Sequence, residues 1–372
     1  MRLPLTSPPE SICIVRLSAI GDVCHTVPVV RTLQSHWPNT KLTWVIGKTE
    51  ASLVGDIPGI EFIIFDKSKG WYAYHDLRKC MLGRRFDILL RMQPALRTSI
   101  ASLFIKARIR LGFDKARARD YQWLFTNHRI PATPEQHVVD GFFSFLETLG
   151  LSQRDLRWDI PIPDDARAFA AQHLPGPQPT LLISPCSSHA LRNWRADYYA
   201  LVADHAIEKH GIRVVLCGGP SPREREYGDA TTRHMRNTPL DLIGKDTLKR
   251  MLALLARADL LLSPDSGPAH MATCVGTPVI GLFAGSNTRR TGPYLSREWC
   301  VDKYDEAARR YLKKPATAIP WGKKLEYRGV MELIQPQDVI NKLDAFMNRT
   351  HGGRPARRST TPPESETNQL DS

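Results

Sequence analysis

The sequence predicts a chain of two α/β halves, each built on a mostly parallel, doubly wound sheet. Short β-branched runs alternate with helical stretches through the N-terminal half and again through the C-terminal half. The 372-residue length fits two domains at roughly 150 residues each. A proline- and acid-rich break, DIPIPDDARAF, separates the halves near residues 160–165.

In the first half, residues 1–163, ICIVRL (12–17) is a strand that stops at the turn SAIGD. The amphipathic VCHTVPVVRTLQSHW follows as a helix, and KLTWVI (41–46) is the next strand. EFIIFD, FDILLRM and ARIRLGF extend the series. The second half, residues 164–348, repeats the scheme with TLLISP (180–185), a helix from about Ala196 to Lys209, and IRVVLCGG (212–219). The helical TLKRMLALLARA (247–258) and the strands DLLLSPDSG (259–267) and TPVIGLF (277–283) continue it. DVINKLDAFMNR (338–349) carries apolar residues at helical spacing and closes the half. Residues 349–372 hold no aromatic residue and one leucine, too little apolar surface to offset chain entropy, and are expected to be disordered.

Charge and cysteine usage narrow the function. Lys and Arg number 51 against 38 Asp and Glu, and the resulting +13 is too basic for a protein that handles only neutral metabolites. No run approaches the ~18 apolar residues of a membrane span. The best, Met251 to Leu262, is broken by Arg257 and Asp259. The first residues lack the apolar core of a signal peptide. Seven cysteines, never closer than eleven positions apart, make neither a disulfide framework nor a zinc pattern, and a reducing compartment is the natural expectation.

Ligands of doubly wound sheets bind beyond the carboxyl ends of strands, and three such ends carry polar residues. The first runs from Arg16 to Asp22. A carboxylate at Asp22 faces the positive end of a helix and can act as general base toward an acceptor hydroxyl, or simply cap the helix. The second contains Ser187, Ser188 and Arg192: two hydroxyls and a permanent cation that suit a pyrophosphate, or an ordinary polar loop over Trp194. The third is Asp265-Ser266-Gly267 followed by His270. Here a helix start with free N–H groups and a close-approach glycine suits a phosphate. A plain Asp/Ser cap with a surface histidine is the bland alternative. Gly218-Gly219-Pro220 brings backbone near a nucleotide or is a simple turn. GxGxxG, Walker A and HExxH sequences are absent.

In this order, S-A-I-G-D-V-x-H-T-x-P (18–28), CGGP (217–220) and S-P-D-S-G-P-A-H (263–270) resemble glycosyltransferase family 9, the ADP-heptose:lipopolysaccharide heptosyltransferases, over roughly residues 11–347. The resemblance implies a GT-B fold: two Rossmann-like domains facing each other across a cleft. The acceptor is bound by the first domain and the nucleotide sugar by the second, with the last helix packing back on the first. It implies an inverting transfer with no metal and no cofactor. Asp22 matches the catalytic base. Ser187 and Ser188 stand where the heptosyltransferase I proteins carry threonines, and Arg192 where they carry a lysine. Asp265, Ser266, Gly267 and His270 match the donor motif directly. Glu224 is the implied ribose ligand, and a backbone contact to adenine falls near Lys245-Asp246-Thr247. The expected reaction moves L-glycero-D-manno-heptose from ADP-heptose to a Kdo residue of the lipopolysaccharide inner core. A family relative with another donor or a protein acceptor is the nearer alternative. A basic nucleic-acid-binding α/β protein is the remote one, and no compact nucleic-acid motif supports it.

Residues 78–129 hold thirteen Lys or Arg against three Asp, most of the chain's net positive charge. The acceptor expected here, Kdo on lipid A, is anionic. Arg78, Lys79, Arg84 and Arg85 are therefore expected to meet the acceptor and an anionic membrane surface. That implies a cytoplasmic protein attached peripherally to the cytoplasmic face of the inner membrane.

Overall fold

The computed structural model describes residues 3–351. Among them, twelve strands form two six-stranded sheets with every pairing parallel. The first sheet comprises β1 (Ser11–Val15), β2 (Lys41–Gly47), β3 (Ile60–Phe65), β4 (Phe86–Arg91), β5 (Ala107–Gly112) and β6 (His128–Arg129). Its order is β3-β2-β1-β4-β5-β6. The second comprises β7 (Thr180–Ile183), β8 (Arg213–Leu216), β9 (Leu240–Asp241), β10 (Leu260–Pro264), β11 (Val279–Phe283) and β12 (Val301–Asp302), ordered β12-β11-β10-β7-β8-β9. The two windings are the same. Each reverses direction beside its first strand, between β1 and β4 and between β7 and β10. Those crevices are where an open α/β sheet binds its ligands.

The central strands read as near-continuous apolar runs because helices cover both faces of a parallel sheet. Ile12, Cys13, Ile14 and Val15 of β1 are fully buried, and so are Leu261 and Ser263 of β10. The two-residue edge strands β6, β9 and β12 escaped sequence reasoning because a pair of residues carries no periodicity. Trp194 lies completely buried beneath the loop after β7, its indole N–H donating to Ile334 O at 2.9 Å. All seven cysteines are free, and Cys80 alone among them is exposed. No described helix is long and apolar enough to cross a membrane.

Residues 151–163 have no regular structure, and helix Asp164–His173 follows them. The closing helix spans Pro336–His351. It does not pack back on the first half as the family resemblance implied. Val339, Leu343, Phe346 and Met347 join the core of the second half instead. Asp344 fixes this seat: its carboxylate accepts from His205, Lys209 and His210 of helix Ala196–His210 at 2.7–2.8 Å. Three donors from that one helix hold the acidic group, and with it the closing helix, on the second half. Residues 349–351, expected to begin a disordered tail, instead complete this helix, and the rest of that tail lies outside the described residues.

Candidate active site

Helix Ile20–His36 starts at the carboxyl end of β1 and carries Asp22 in its first turn. No side chain caps this helix, so Asp22 is not its cap. The carboxylate pairs with Arg16 instead, the buried residue directly after β1. Burial pulls the Arg16 pKa down, and Asp22 opposes that shift. With 34% of its side chain exposed, Asp22 remains reachable from the cleft.

Facing it, helix Gly267–Cys274 leaves β10. Ser266 occupies the N-cap, yet its hydroxyl meets Ser263 Oγ at 2.8 Å and leaves the helix N–H groups uncapped. A helix start in that state holds an anion through free donors and dipole. Asp265 gathers two cations and an imidazole: Lys324 Nζ at 2.9 Å, with Arg192 Nη1 and His270 Nε2 each at 3.8 Å. Burial alone would raise its pKa, but His270 and Lys324 hold it well below the usual carboxylate range. It is an ionised anchor for positive side chains.

His270 joins the two halves. Its Nδ1 lies 3.1 Å from Nε2 of His25, on the helix that carries Asp22. Burial and the neighbouring His270 and His137 push His25 well below its ordinary pKa, so it is neutral. His25 Nδ1 has no hydrogen-bond partner. The tautomer that strands no buried N–H therefore has His25 donating from Nε2 to His270 Nδ1. The His270 proton then sits on Nε2, turned toward Asp265. Gly21 makes this approach possible, because a Cβ there would overlap the His270 ring. More bonds seal the same seam. His137 pairs with Gly292 O at 2.9 Å, Tyr294 donates to Asp140 at 2.9 Å, and Trp321 Nε1 donates to Gln136 O at 2.9 Å.

The loop after β7 supplies the expected phosphate-type donors in part. Ser187 is buried and spends its hydroxyl on His189 O at 2.9 Å, whereas Ser188 is exposed. Arg223 braces both by donating to their carbonyls at 3.0 and 3.3 Å. Arg192 reaches the cleft but holds Glu326 at 2.7 Å. Beyond β8, Glu224 closes the turn onto its helix: its carboxylate accepts from Gly219 N–H at 3.0 Å and Ser221 Oγ at 2.7 Å, while its own N–H donates to the capping Ser221 hydroxyl. Asp246 lies near it, with its pKa raised to about 7 by burial and by the Glu224 charge. The folded protein thus resists ionising Asp246. Wild-type stability should fall relative to Asp246→Asn as pH rises from 3.8 to about 7, then run level. Melting temperatures of the two proteins across that window check this; a constant difference would contradict it.

Asp22, Arg192, Asp265, Ser266, Gly267 and His270 thus converge on one cleft, with Ser188, Glu224 and Asp246 along its second-half rim. Arg78, Lys79, Arg84 and Arg85 do not join them. Arg78 and Lys79 sit in the last turn of helix Trp71–Met81, and Arg84 and Arg85 in the turn leading into β4. In a parallel sheet that turn lies at the amino ends of the strands, roughly a strand length (~15 Å) from the end that carries Asp22. Arg84 is moreover bound twice to Glu61, each time at 2.7 Å. Other members of the basic run are internal braces: Arg91 donates to Ser99 Oγ at 2.7 Å and to Gln122 O at 3.1 Å, and Arg110 to the carbonyls of Ser102, Ile105 and Phe125.

Sequence reasoning missed four contributors. Glu326 and Lys324 lie in a segment without motif or periodicity. Arg290 follows the carboxyl end of β11, a place the strand-end rule could have flagged. It is half-buried and makes no ion pair among the described residues, although Asp22 and Asp265 both act on it. Arg119 of the first half reaches the same space: atoms of both guanidiniums lie within 4.0 Å of the position a Gly322 Cβ would take.

The comparisons agree with this architecture. A family model described as glycosyltransferase family 9 (heptosyltransferase) matches residues 74–321. The lipopolysaccharide core heptosyltransferase OpsX of Haemophilus influenzae is 44% identical over 342 residues, 92% of this chain and 98% of that protein. Lipopolysaccharide heptosyltransferase 3 of Escherichia coli K12 is 23% identical over 330 residues, 86% of this chain and 93% of its own. Among solved structures, a family 9 glycosyltransferase from Veillonella parvula superposes with a TM-score of 0.76 at 22% identity, covering 91% of this chain and 98% of that one. The E. coli heptosyltransferase WaaC with ADP gives 0.69 at 18% identity, covering 90% and 99%. With its paired parallel sheets and the cleft between them, the chain belongs to glycosyltransferase family 9 and is a heptosyltransferase of GT-B fold.

Proposed function

We propose that the protein transfers L-glycero-D-manno-heptose from ADP-heptose to a Kdo residue of the lipopolysaccharide inner core, with inversion at the anomeric carbon. The observation that carries this reading is the seating of Asp22 in one half directly across from the uncapped helix start, Asp265 and His270 of the other. The similarity to OpsX, a lipopolysaccharide core heptosyltransferase, supports the lipopolysaccharide core as acceptor, and the solved complex of WaaC with ADP supports the nucleotide.

In this mechanism the diphosphate lies over the start of helix Gly267–Cys274, within reach of Arg192, Ser188 and Lys324. The acceptor approaches from the first half. Its hydroxyl gives a proton to Asp22 as the oxygen attacks the anomeric carbon, and the bond from that carbon to the diphosphate oxygen breaks. ADP leaves with the electron pair. Base and leaving group sit on opposite walls of the cleft, so a single displacement inverts the centre. Arg16 holds the Asp22 carboxylate in place. Arg290, on which Asp22 acts, and its neighbour Arg119 supply two further cations, suited to an anionic acceptor or to charge developing on the diphosphate.

Arg192 is engaged by Glu326 before any donor arrives, which yields a paired expectation. Arg192→Ala should weaken ADP binding about 10–100-fold, the worth of a charged hydrogen bond, and should also lower kcat. Glu326→Gln should tighten ADP a few-fold by freeing the guanidinium. Titration calorimetry with ADP reads both; unchanged affinity in both variants would place Arg192 outside the donor site.

A lipid-anchored acceptor also requires work at a bilayer, and we place the protein on the cytoplasmic face of the inner membrane. The net charge of +13 favours such a surface.

A further inference from the structure

The face that meets the bilayer need not centre on Arg78, Lys79, Arg84 and Arg85, because those four lie at the wrong end of the sheet. We propose that helix Trp71–Met81, helix Leu96–Leu103 and the loop 120–125 together form a docking surface for an anionic phospholipid bilayer. This rests on the acceptor being lipid-anchored, as argued above. Large side chains of these elements, among them Trp71, Tyr72, Leu103, Tyr121, Trp123 and Leu124, are between 46% and 76% exposed. Side chains of that size are costly to leave in water, and a contiguous set of them marks an interaction surface.

The second helix links the two ends of the set. The Trp71 ring packs 5.3 Å from Tyr74, which lies 6.5 Å from Phe104 at the end of the second helix. At its other end, Leu96 N–H donates to Asp120 at 3.0 Å, next to Tyr121, whose ring is 6.4 Å from Trp123. Tryptophan and tyrosine, with apolar bodies and one polar handle, suit the headgroup boundary of a bilayer better than its core. Exposed cations flank them. Lys67 precedes the first helix and Arg97 is in the second; neither has an ion-pair partner among the described residues. Apolar anchors flanked by free cations complement anionic headgroups over an apolar interior.

Placement supplies the function. The first helix starts beyond the carboxyl end of β3 and the second beyond that of β4, the end that also carries Asp22. Gln93, at the foot of the second helix, binds the Asp22 loop directly: it accepts from Leu17 N–H at 2.8 Å and donates to Ser18 Oγ at 3.2 Å. A bilayer seated on this face presents its headgroup sugars to the acceptor side of the cleft while the lipid stays in the membrane.

The test uses the full chain, vesicles of phosphatidylcholine with and without phosphatidylglycerol, and no acceptor lipid. Wild type should sediment with the anionic vesicles, and brominated lipids should quench part of its tryptophan fluorescence. The double variant Trp71→Ala/Trp123→Ala should lose at least tenfold in partitioning and most of the quenching. Because both side chains are exposed, its circular dichroism and its transfer to a water-soluble, deacylated acceptor should match wild type. Arg84→Glu/Arg85→Glu should change partitioning less than twofold. Equal binding of wild type and the tryptophan double variant, equal binding to neutral and anionic vesicles, or loss through the Arg84/Arg85 pair alone would each overturn the assignment. A concentration-dependent dimer abolished by the tryptophan changes would give the face to a second copy of the chain and overturn it too. If wild type binds vesicles as described but transfers nothing to the deacylated acceptor, the reaction assigned above fails and the docking surface stands.

Discussion

Asp22→Asn is expected to lower kcat by about 10²–10⁴-fold, the usual worth of a positioned base, while leaving ADP-heptose affinity within a factor of a few of wild type. The amide keeps the shape of the carboxylate and an oxygen for Arg16, so the helix start and cleft should survive the change. It cannot take the acceptor proton. The donor contacts proposed at the helix start, Arg192, Ser188 and Lys324, lie in the opposite half, and binding should hardly register the loss. Arg16 makes the expectation sharper, because its partner is an anion on which the buried guanidinium depends. A modest drop in melting temperature should therefore accompany the kinetic collapse. Single-turnover kinetics with saturating donor separate these effects. Turnover within a few-fold of wild type would reduce Asp22 to a counter-ion for Arg16.

Gly21→Ala should be nearly as damaging, by another route. The added methyl would overlap the His270 ring, which is buried and tied to His25 at 3.1 Å. A free surface histidine could swing aside; this one cannot without breaking the contact between the halves. Each half keeps its own sheet, and the apolar cluster that runs across the seam, from Ile12 and Val23 to Leu261 and Met271, lies beside the new methyl rather than beneath it, so the chain should still fold. We expect the two helix starts to be forced apart, with kcat/KM for the donor falling at least tenfold. Small-angle scattering should show a more open particle, and pairing the change with His270→Ala should recover compactness without recovering activity. Wild-type kinetics in Gly21→Ala would mean that the halves do not approach this closely during turnover.

The sequence was most informative where chemistry and backbone geometry coincide. SAIGD and SPDSGPAH each mark a strand end, a close approach and a functional side chain within a few residues, and they land on facing walls of the cleft. The longer strands were legible because burial on both faces makes them continuous apolar runs. The charge partners were not. That Glu326 holds Arg192, that Lys324 neutralises Asp265, and that Arg290 stands between two acids are facts of tertiary approach, made by side chains from segments without periodicity. The basic run misled for a related reason. Summed along the sequence it looks like one patch, yet in space Arg91 and Arg110 are buried braces, Arg84 is spent on Glu61, and the remainder spreads over both ends of a sheet. The exposed aromatic residues were hidden too, since Trp71 or Trp123 reads in sequence as an ordinary core residue.

The most direct measurement is transfer itself. Purified protein is incubated with ADP-heptose and Kdo-bearing lipid A, the products are read by mass spectrometry, and the anomeric configuration by NMR. The proposed function predicts an acceptor heavier by one heptose, stoichiometric ADP, an inverted anomeric centre and no product with Asp22→Asn. An unmodified acceptor beside intact, bound ADP-heptose would contradict the Kdo assignment, and a retained configuration would contradict Asp22 as the base of a single displacement.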